Sequence, residues 1–102
     1  MLNSVSLVGR IVRTVYHVED MAFLDIEVKR PFPEEIGKEK FDVFSIALWK
    51  GLEDMMVDVA QNGMIITVRG RLILNKFSQN KYEFKDMIIY GEVIEILNKY
   101  FI

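Results

Sequence analysis

Three large rings in this chain stand next to cations. Phe32 follows Lys29, Arg30 and Pro31; Trp49 precedes Lys50; Phe77 follows Lys76. A flat π-face accepts a nucleobase of any identity, and a neighbouring ammonium or guanidinium takes the phosphate that comes with it. One ring beside one cation equally suits the rim of a hydrophobic core, and Phe23 and Tyr16 read as rim residues of that kind. Repetition of the same pairing favours binding. Arg69 and Arg71 add to it, because side chains two residues apart in an extended segment project the same way. With Arg10, Arg13, Lys50, Lys76 and Lys81 they form a candidate basic track, while Glu34, Glu35, Glu39, Glu92 and Glu95 are placed elsewhere.

Catalytic chemistry finds little to work with. The single histidine, His17, has no cysteine partner and no HExxH context, so it supplies neither a metal site nor a nucleophile–base pair. It reads as a surface residue at a strand end. "VGRIV" and "VRGRL" each hold one glycine, not the glycine cluster of a phosphate-cradling loop. Glu34–Glu35 and Glu53–Asp54 are adjacent, so their side chains diverge; solvation and helix polarity account for them. The expectation is a protein that is not an enzyme and uses no metal or cofactor. The lack of cysteine removes disulfides and thiolates together and fits a cytoplasmic location. Neither a secretory signal nor an apolar run of about 20 residues is present, so no membrane association is expected. The net charge of −2 gives no bulk attraction to nucleic acid, and any such attraction must come from how the charges are distributed.

The elements that must hold these residues follow from periodicity. "VSLVGRIVRTVY" is rich in β-branched residues and predicts a long strand, bent or bulged at Gly9. "MAFLDIEVKR" alternates, with Ala22, Leu24, Ile26 and Val28 on one face and Phe23, Asp25, Glu27 and Lys29 on the other. Pro31 lacks an amide hydrogen, so this strand ends before it, and "PFPEEIGKEK" predicts an exposed loop. In "FDVFSIALWK" the residues Phe44, Ile46 and Leu48 share one parity. Trp49 shares the other with the small Ser45 and Ala47, on the less packed side. Leu52, Met55, Met56, Val59 and Ala60 then follow helical spacing, and Gly63 sits where a C-terminal cap belongs. "MIITVRGRLIL" returns to period two, "FSQNK" predicts a turn with Phe77 at a hairpin tip, and "YEFKDMIIYGEVIEIL" predicts the last strand. Three strands, one short helix and two strands define an all-β OB-fold: a five-stranded Greek-key barrel with one α-helix between strands 3 and 4. Residues 1–102 fit a single domain.

The same stretches resemble the bacterial single-stranded DNA-binding protein family. "MLNSVSLVGRIV" is similar to that family's first strand, "EVKRPF" to its "AVNRPF" element, "FSIALWKG" to its third strand, and "VRGRLILNKF" to its fourth strand and hairpin. The likeness covers about residues 1–97 and thins in the last strand. It implies base stacking on Phe32, Trp49 and Phe77, and Lys76 matches a basic position beside the hairpin aromatic; Arg10, Arg30, Lys50, Arg69 and Arg71 are the further phosphate-binding candidates, read from the residues themselves. A fourth family stacking position falls on Val43, which cannot stack; Phe44 is the neighbouring substitute. The family pairs through its first strands, which implies a homo-oligomer, dimer or tetramer. Its members usually continue into a Gly/Pro/Gln-rich tail with an acidic tip, whereas this chain stops at "NKYFI", so recruitment of replication proteins through a tail is not expected. A shortened paralogue or a primosomal replication relative would look alike.

Two functions are therefore expected. The first is sequence-independent binding of single-stranded DNA in replication, recombination or repair. RNA fits the same chemistry, since stacking does not sense the 2′-hydroxyl. The alternative is an OB-fold subunit of a replication or primosome assembly that binds protein, with weak affinity for nucleic acid. Val43, the acidic balance and the apolar "YFI" speak for it.

Overall fold

In the computed structural model, five strands and one helix follow the expected order. They are β1 (Val5–Val18), β2 (Met21–Lys29), β3 (Phe41–Leu48), α1 (Lys50–Val59), β4 (Ile65–Gln79) and β5 (Tyr82–Ile96). The structure describes residues 1–32, 36–79 and 82–97, with the backbone alone for 75–79 and 82–85. The strands close into a barrel in the order β1-β2-β3-β5-β4, and β4 returns to β1. All contacts are antiparallel except that of β3 with β5. This is the OB-fold barrel.

Strict alternation fills the interior. Leu24 and Ile26 of β2, Ile46 of β3, and Ile66 and Val68 of β4 are fully buried, as the parity of the sequence requires. Ile11 joins them from β1, and Leu52 and Met56 from α1 pack into the same cluster. Met55 and Val59, which share the helical spacing, remain exposed. Ten residues of helix bury a narrow stripe, and two side chains suffice to plug the barrel end.

Three local expectations are corrected. Helix α1 ends at Ala60 with extended backbone, so Gly63 is not its cap. Gly63 instead lies in the following turn at φ 95°, where a side chain is disfavoured, and its amide donates to the Ile11 carbonyl. The irregularities of β1 fall between Ile11 and Tyr16 rather than at Gly9. Gly9 serves a close approach: a Cβ there would meet the Glu27 carbonyl oxygen at 2.6 Å. "FSQ" is strand, since β4 runs to Gln79 and pairs residue by residue with β5, and Phe77 lies opposite Phe84 rather than at the tip.

The N-terminal segment adds a tie that the pattern did not reveal. The Asn3 side chain donates to the Leu72 carbonyl and accepts from the Leu72 amide, both at 2.9 Å. It extends the β1–β4 ladder beyond Val5–Gly70. Among the described residues no helix is long and apolar enough to cross a membrane.

Because Gly9 is pressed against the β2 backbone, Gly9→Ala should lower stability by about 1–3 kcal/mol, the usual range for overpacking. Urea denaturation checks this. A midpoint unchanged from the parent would show that the strands separate freely at this point.

Candidate nucleic-acid interface

The residues singled out by the sequence are spread around the barrel: Arg10 is on β1, Arg30 and Phe32 lie past the end of β2, Trp49 lies past the end of β3, Lys50 begins α1, and Arg69, Arg71, Lys76 and Phe77 are on β4. Phe32 follows the end of β2 and is 81% exposed; Trp49 follows the end of β3 and is 46% exposed. These two rings stand at opposite ends of the β2–β3 pair, separated by the eight residues of β3, about 25 Å at 3.3 Å per residue. Between them Phe41, Val43, Ser45 and Ala47 share the outward parity of β3. The rings are therefore not a cluster. The backbone of Phe77 continues the β4–β5 hairpin, whereas the side chains of Lys76, Phe77 and Lys81 lie outside the described residues, as do Glu34 and Glu35.

Trp49 is held in place. Its indole Nε1–H donates to the Glu92 carbonyl at 3.2 Å, linking the start of α1 to β5. The ring lies over Gly51, where a Cβ would come within 2.0 Å of it. A glycine in the first helical turn thus makes the seat for a flat side chain, which keeps one face open.

The two rings read as core rim, Tyr16 and Phe23, are half-buried on the outward side of β1 and β2. A single cross-strand row runs Tyr16, Phe23, Ala47, Tyr90, Arg71. Tyr16 and Phe23 stack at 5.8 Å between centroids. Arg13 sits 3.6 Å above the Tyr16 ring, and Arg71 lies 5.3 Å from that of Tyr90. Ala47 has outward parity yet is only 1% exposed, flanked by Phe23 and Tyr90 in this row. The Tyr16 hydroxyl donates to Asp25 at 2.6 Å and lies 3.2 Å from the Ser45 hydroxyl. Burial first, and then the bond to Asp25, raise the Tyr16 phenol above its ordinary value. Sequence reasoning did not single out Tyr90 or Phe41. The parity of β3 contained the signal for Phe41; the signal for Tyr90 exists only in the pairing of β3 with β5.

Phe44 does not replace a stacking ring at Val43. It points inward and packs against the core, because it shares the parity of Ile46.

The cations are more occupied than their distribution in the sequence suggested. Arg30 makes a two-pronged contact with Asp42, at 3.0 Å from Nε and 2.8 Å from Nη2, and that guanidinium holds the Asp42 carboxyl below its ordinary range. Lys29 meets Glu39 at 2.7 Å. Lys50 meets Glu53 at 3.3 Å and Asp54 at 3.0 Å, and these carboxylates, Asp54 first, raise its ammonium. His17 contacts Glu53 at 2.7 Å and, with Lys50 second, lowers that carboxyl. The acids are thus interleaved with the track rather than set apart from it. Arg10 and Arg69 make no ion pair with another described residue. Among the described residues no cluster of three or more His, Asp or Glu could hold a metal ion.

Comparison with solved structures locates this architecture. The fold is similar to that of a Plasmodium falciparum SSB solved in complex with ssDNA, at TM-score 0.72 and 18% identity over 95% of this chain and 96% of that one. It is similar as well to Rim1, a mitochondrial single-stranded DNA binding protein of S. cerevisiae, at TM-score 0.71 and 13% identity over 95% and 96%. A deletion mutant of the single-stranded DNA binding protein from Thermus aquaticus matches at TM-score 0.70 and 24% identity, over 97% of this chain and 52% of that one. No family model and no curated protein matches the chain. The resemblance first seen in short motifs extends to the fold.

Tyr16→Phe keeps the ring and removes both hydroxyl contacts, which should cost about 1 kcal/mol at neutral pH. Because the folded phenol is raised, its contribution is complete below the ordinary value near 10 and is lost as pH rises through the higher folded value. Urea midpoints of parent and variant should therefore converge at strongly alkaline pH. Parallel curves across that range would contradict the assignment.

Proposed function

We propose that this single OB domain, residues 1–102, binds single-stranded DNA without regard to sequence, stacking bases on rings along the outward face of β2 and β3. The observation that carries the reading is the pair of exposed rings, Phe32 and Trp49, just past opposite ends of the β2–β3 pair. Phe77 extends the path onto the hairpin by its position in β4. The fold shared with proteins described as single-stranded DNA binding supports the same ligand. Arg10 and Arg69 take phosphates directly. Arg30, Lys50 and Arg71 must first leave Asp42, the α1 carboxylates and Tyr90. Stacking therefore supplies most of the affinity, at about 1–3 kcal/mol per ring. The role is to keep the strand extended and unpaired during replication, recombination or repair, in the cytoplasm, with no step catalysed.

The working form is a homo-oligomer, a dimer or tetramer. Residues Val5–Gly9 pair with β4 alone among the described residues, leaving one edge of the first strand open to a second copy. Leu74 and Met87, opposite one another on the hairpin, are exposed apolar side chains. That apolar arm also favours the second reading, a subunit of a replication or primosome assembly that binds protein and has little affinity for nucleic acid.

Titration with poly(dT) separates the two. Trp49 is the only tryptophan, so its fluorescence should fall on binding. Trp49→Ala should weaken binding about 5- to 100-fold while the fold is retained. An unchanged emission together with tight heteromeric complexes would favour the protein-binding subunit.

Salt dependence tests how the cations are used. With few unpaired cations among the described residues, the log–log slope should be no steeper than about −2 on single strands. Arg69→Ala removes a cation that makes no ion pair with another described residue and should flatten that slope by about 0.7. An unaltered slope would place Arg69 off the strand's path.

A further inference from the structure

The start of α1 breaks two local rules. Trp49 occupies the N-cap position, where Ser, Thr, Asp or Asn would accept a bond from a free amide of the first turn, and its side chain makes no such bond. Gly51 follows at the second helical position without the positive φ that Gly37 and Gly63 adopt, so its backbone does not call for glycine. Alanine is the better helix former there. Both residues weaken the helix start, and departures of this kind concentrate at functional sites.

The ring accounts for both. A Cβ on Gly51 would overlap Cε3, Cζ3 and Cη2 of the Trp49 indole, so the six-membered half of that ring lies directly on the first turn of α1. The opposite edge is fixed by the Nε1–H bond to the Glu92 carbonyl at 3.2 Å. Gly91, the neighbour of Glu92, lets β5 press close enough for that bond: a Cβ there would meet Ile46 Cγ2 at 2.8 Å and the Ala47 carbonyl oxygen at 3.3 Å. The Trp49 backbone is held in turn by the Glu53 amide, which donates to its carbonyl at 2.8 Å. The indole is thus constrained at its base, its floor and its N–H, yet it stays 46% exposed. An exposed ring has space to swing outward. A methyl group at position 51 is therefore accommodated by lifting the ring, not by unwinding the helix.

We propose that Gly51 is a positioning residue for nucleic acid, acting through Trp49 by holding the indole flat on α1 with one face towards a base. The assignment rests on the single-strand reading above and deepens it. The ring is preorganised, so little conformational freedom is lost when a base stacks on it. Its one polar donor is already engaged by Glu92, so it offers a stacking face and no base-specific hydrogen bond.

Fluorescence anisotropy with labelled oligo(dT), urea denaturation and acrylamide quenching of Trp49, all on the full chain, test the assignment. Gly51→Ala should keep or raise the urea midpoint, increase quenching as the ring lifts into water, and weaken oligo(dT) binding at least threefold. In a Trp49→Ala background the same change should alter affinity by less than about 1.5-fold, because residues that act as a unit are not additive. Equal losses in both backgrounds, or a lowered urea midpoint, would show that the helix rather than the ring needs glycine and overturn the assignment. Gly51→Ala binding like the parent while Trp49→Ala binds weakly overturns it too and leaves the single-strand reading standing. Trp49→Ala binding like the parent takes the ring, and its seat, off the strand's path. A parent protein that binds no oligo(dT) ends both readings together.

Discussion

Closure of the barrel rests on a short parallel contact. β3 meets β5 through Ile46–Ile89, Ala47–Tyr90 and Leu48–Gly91, the smallest pairing in the sheet. A parallel pair is slightly weaker per residue than an antiparallel one, so side-chain packing must hold it. It does so on both faces: Ile46 and Leu48 are buried inside, and Ala47 is buried between Phe23 and Tyr90 outside. The indole of Trp49 adds a hydrogen bond to β5 one residue beyond. Tyr90 reaches the outer face of β2 and β3 only because of this contact. The β4–β5 hairpin likewise leaves the barrel at this point, which is why Leu74 and Met87 remain exposed despite their inward parity in the strand pattern.

Charge has been arranged locally rather than globally. Most described cations near the outward face have a carboxylate or a ring as partner, and surface pairs of this kind contribute little to stability, about 0–1 kcal/mol each. Their larger effect is on the field presented to a ligand. A guanidinium held by Asp42 in two-pronged geometry, or one lying on Tyr16, offers less to a phosphate than a free one. A face of this composition attracts through flat apolar surface first and charge second, which accords with a chain whose net charge is −2.

Part of the candidate site is legible in the sequence alone. Pro31 ends the second strand and leaves Phe32 in solvent, whereas the side read as less packed from the small Ser45 and Ala47 is open at Ser45 and closed at Ala47 by Phe23 and Tyr90. Other features were hidden. Tyr16 and Phe23 read as rim residues, and their stacking on each other emerges only when β1 is registered against β2. The partnership of Arg30 with Asp42 joins residues 12 apart across a loop, so composition counted the cation and missed its neutralisation. Phe44 and Phe41 have the same side chain and opposite fates, decided by parity alone.

The sequence by itself determined the order of elements and the inward set, since alternation at period two and a switch to helical spacing are local properties that burial then enforces. Helix and turn boundaries were less certain, as Gly63 and Gln79 illustrate, because several nearby residues satisfy the same local preferences. Tertiary structure decided which outward residues become neighbours. Strand register and the path of a closed barrel are set by packing among residues far apart in the chain, and no local pattern encodes that Tyr90 faces Ala47 or that the Trp49 indole bonds to the Glu92 carbonyl.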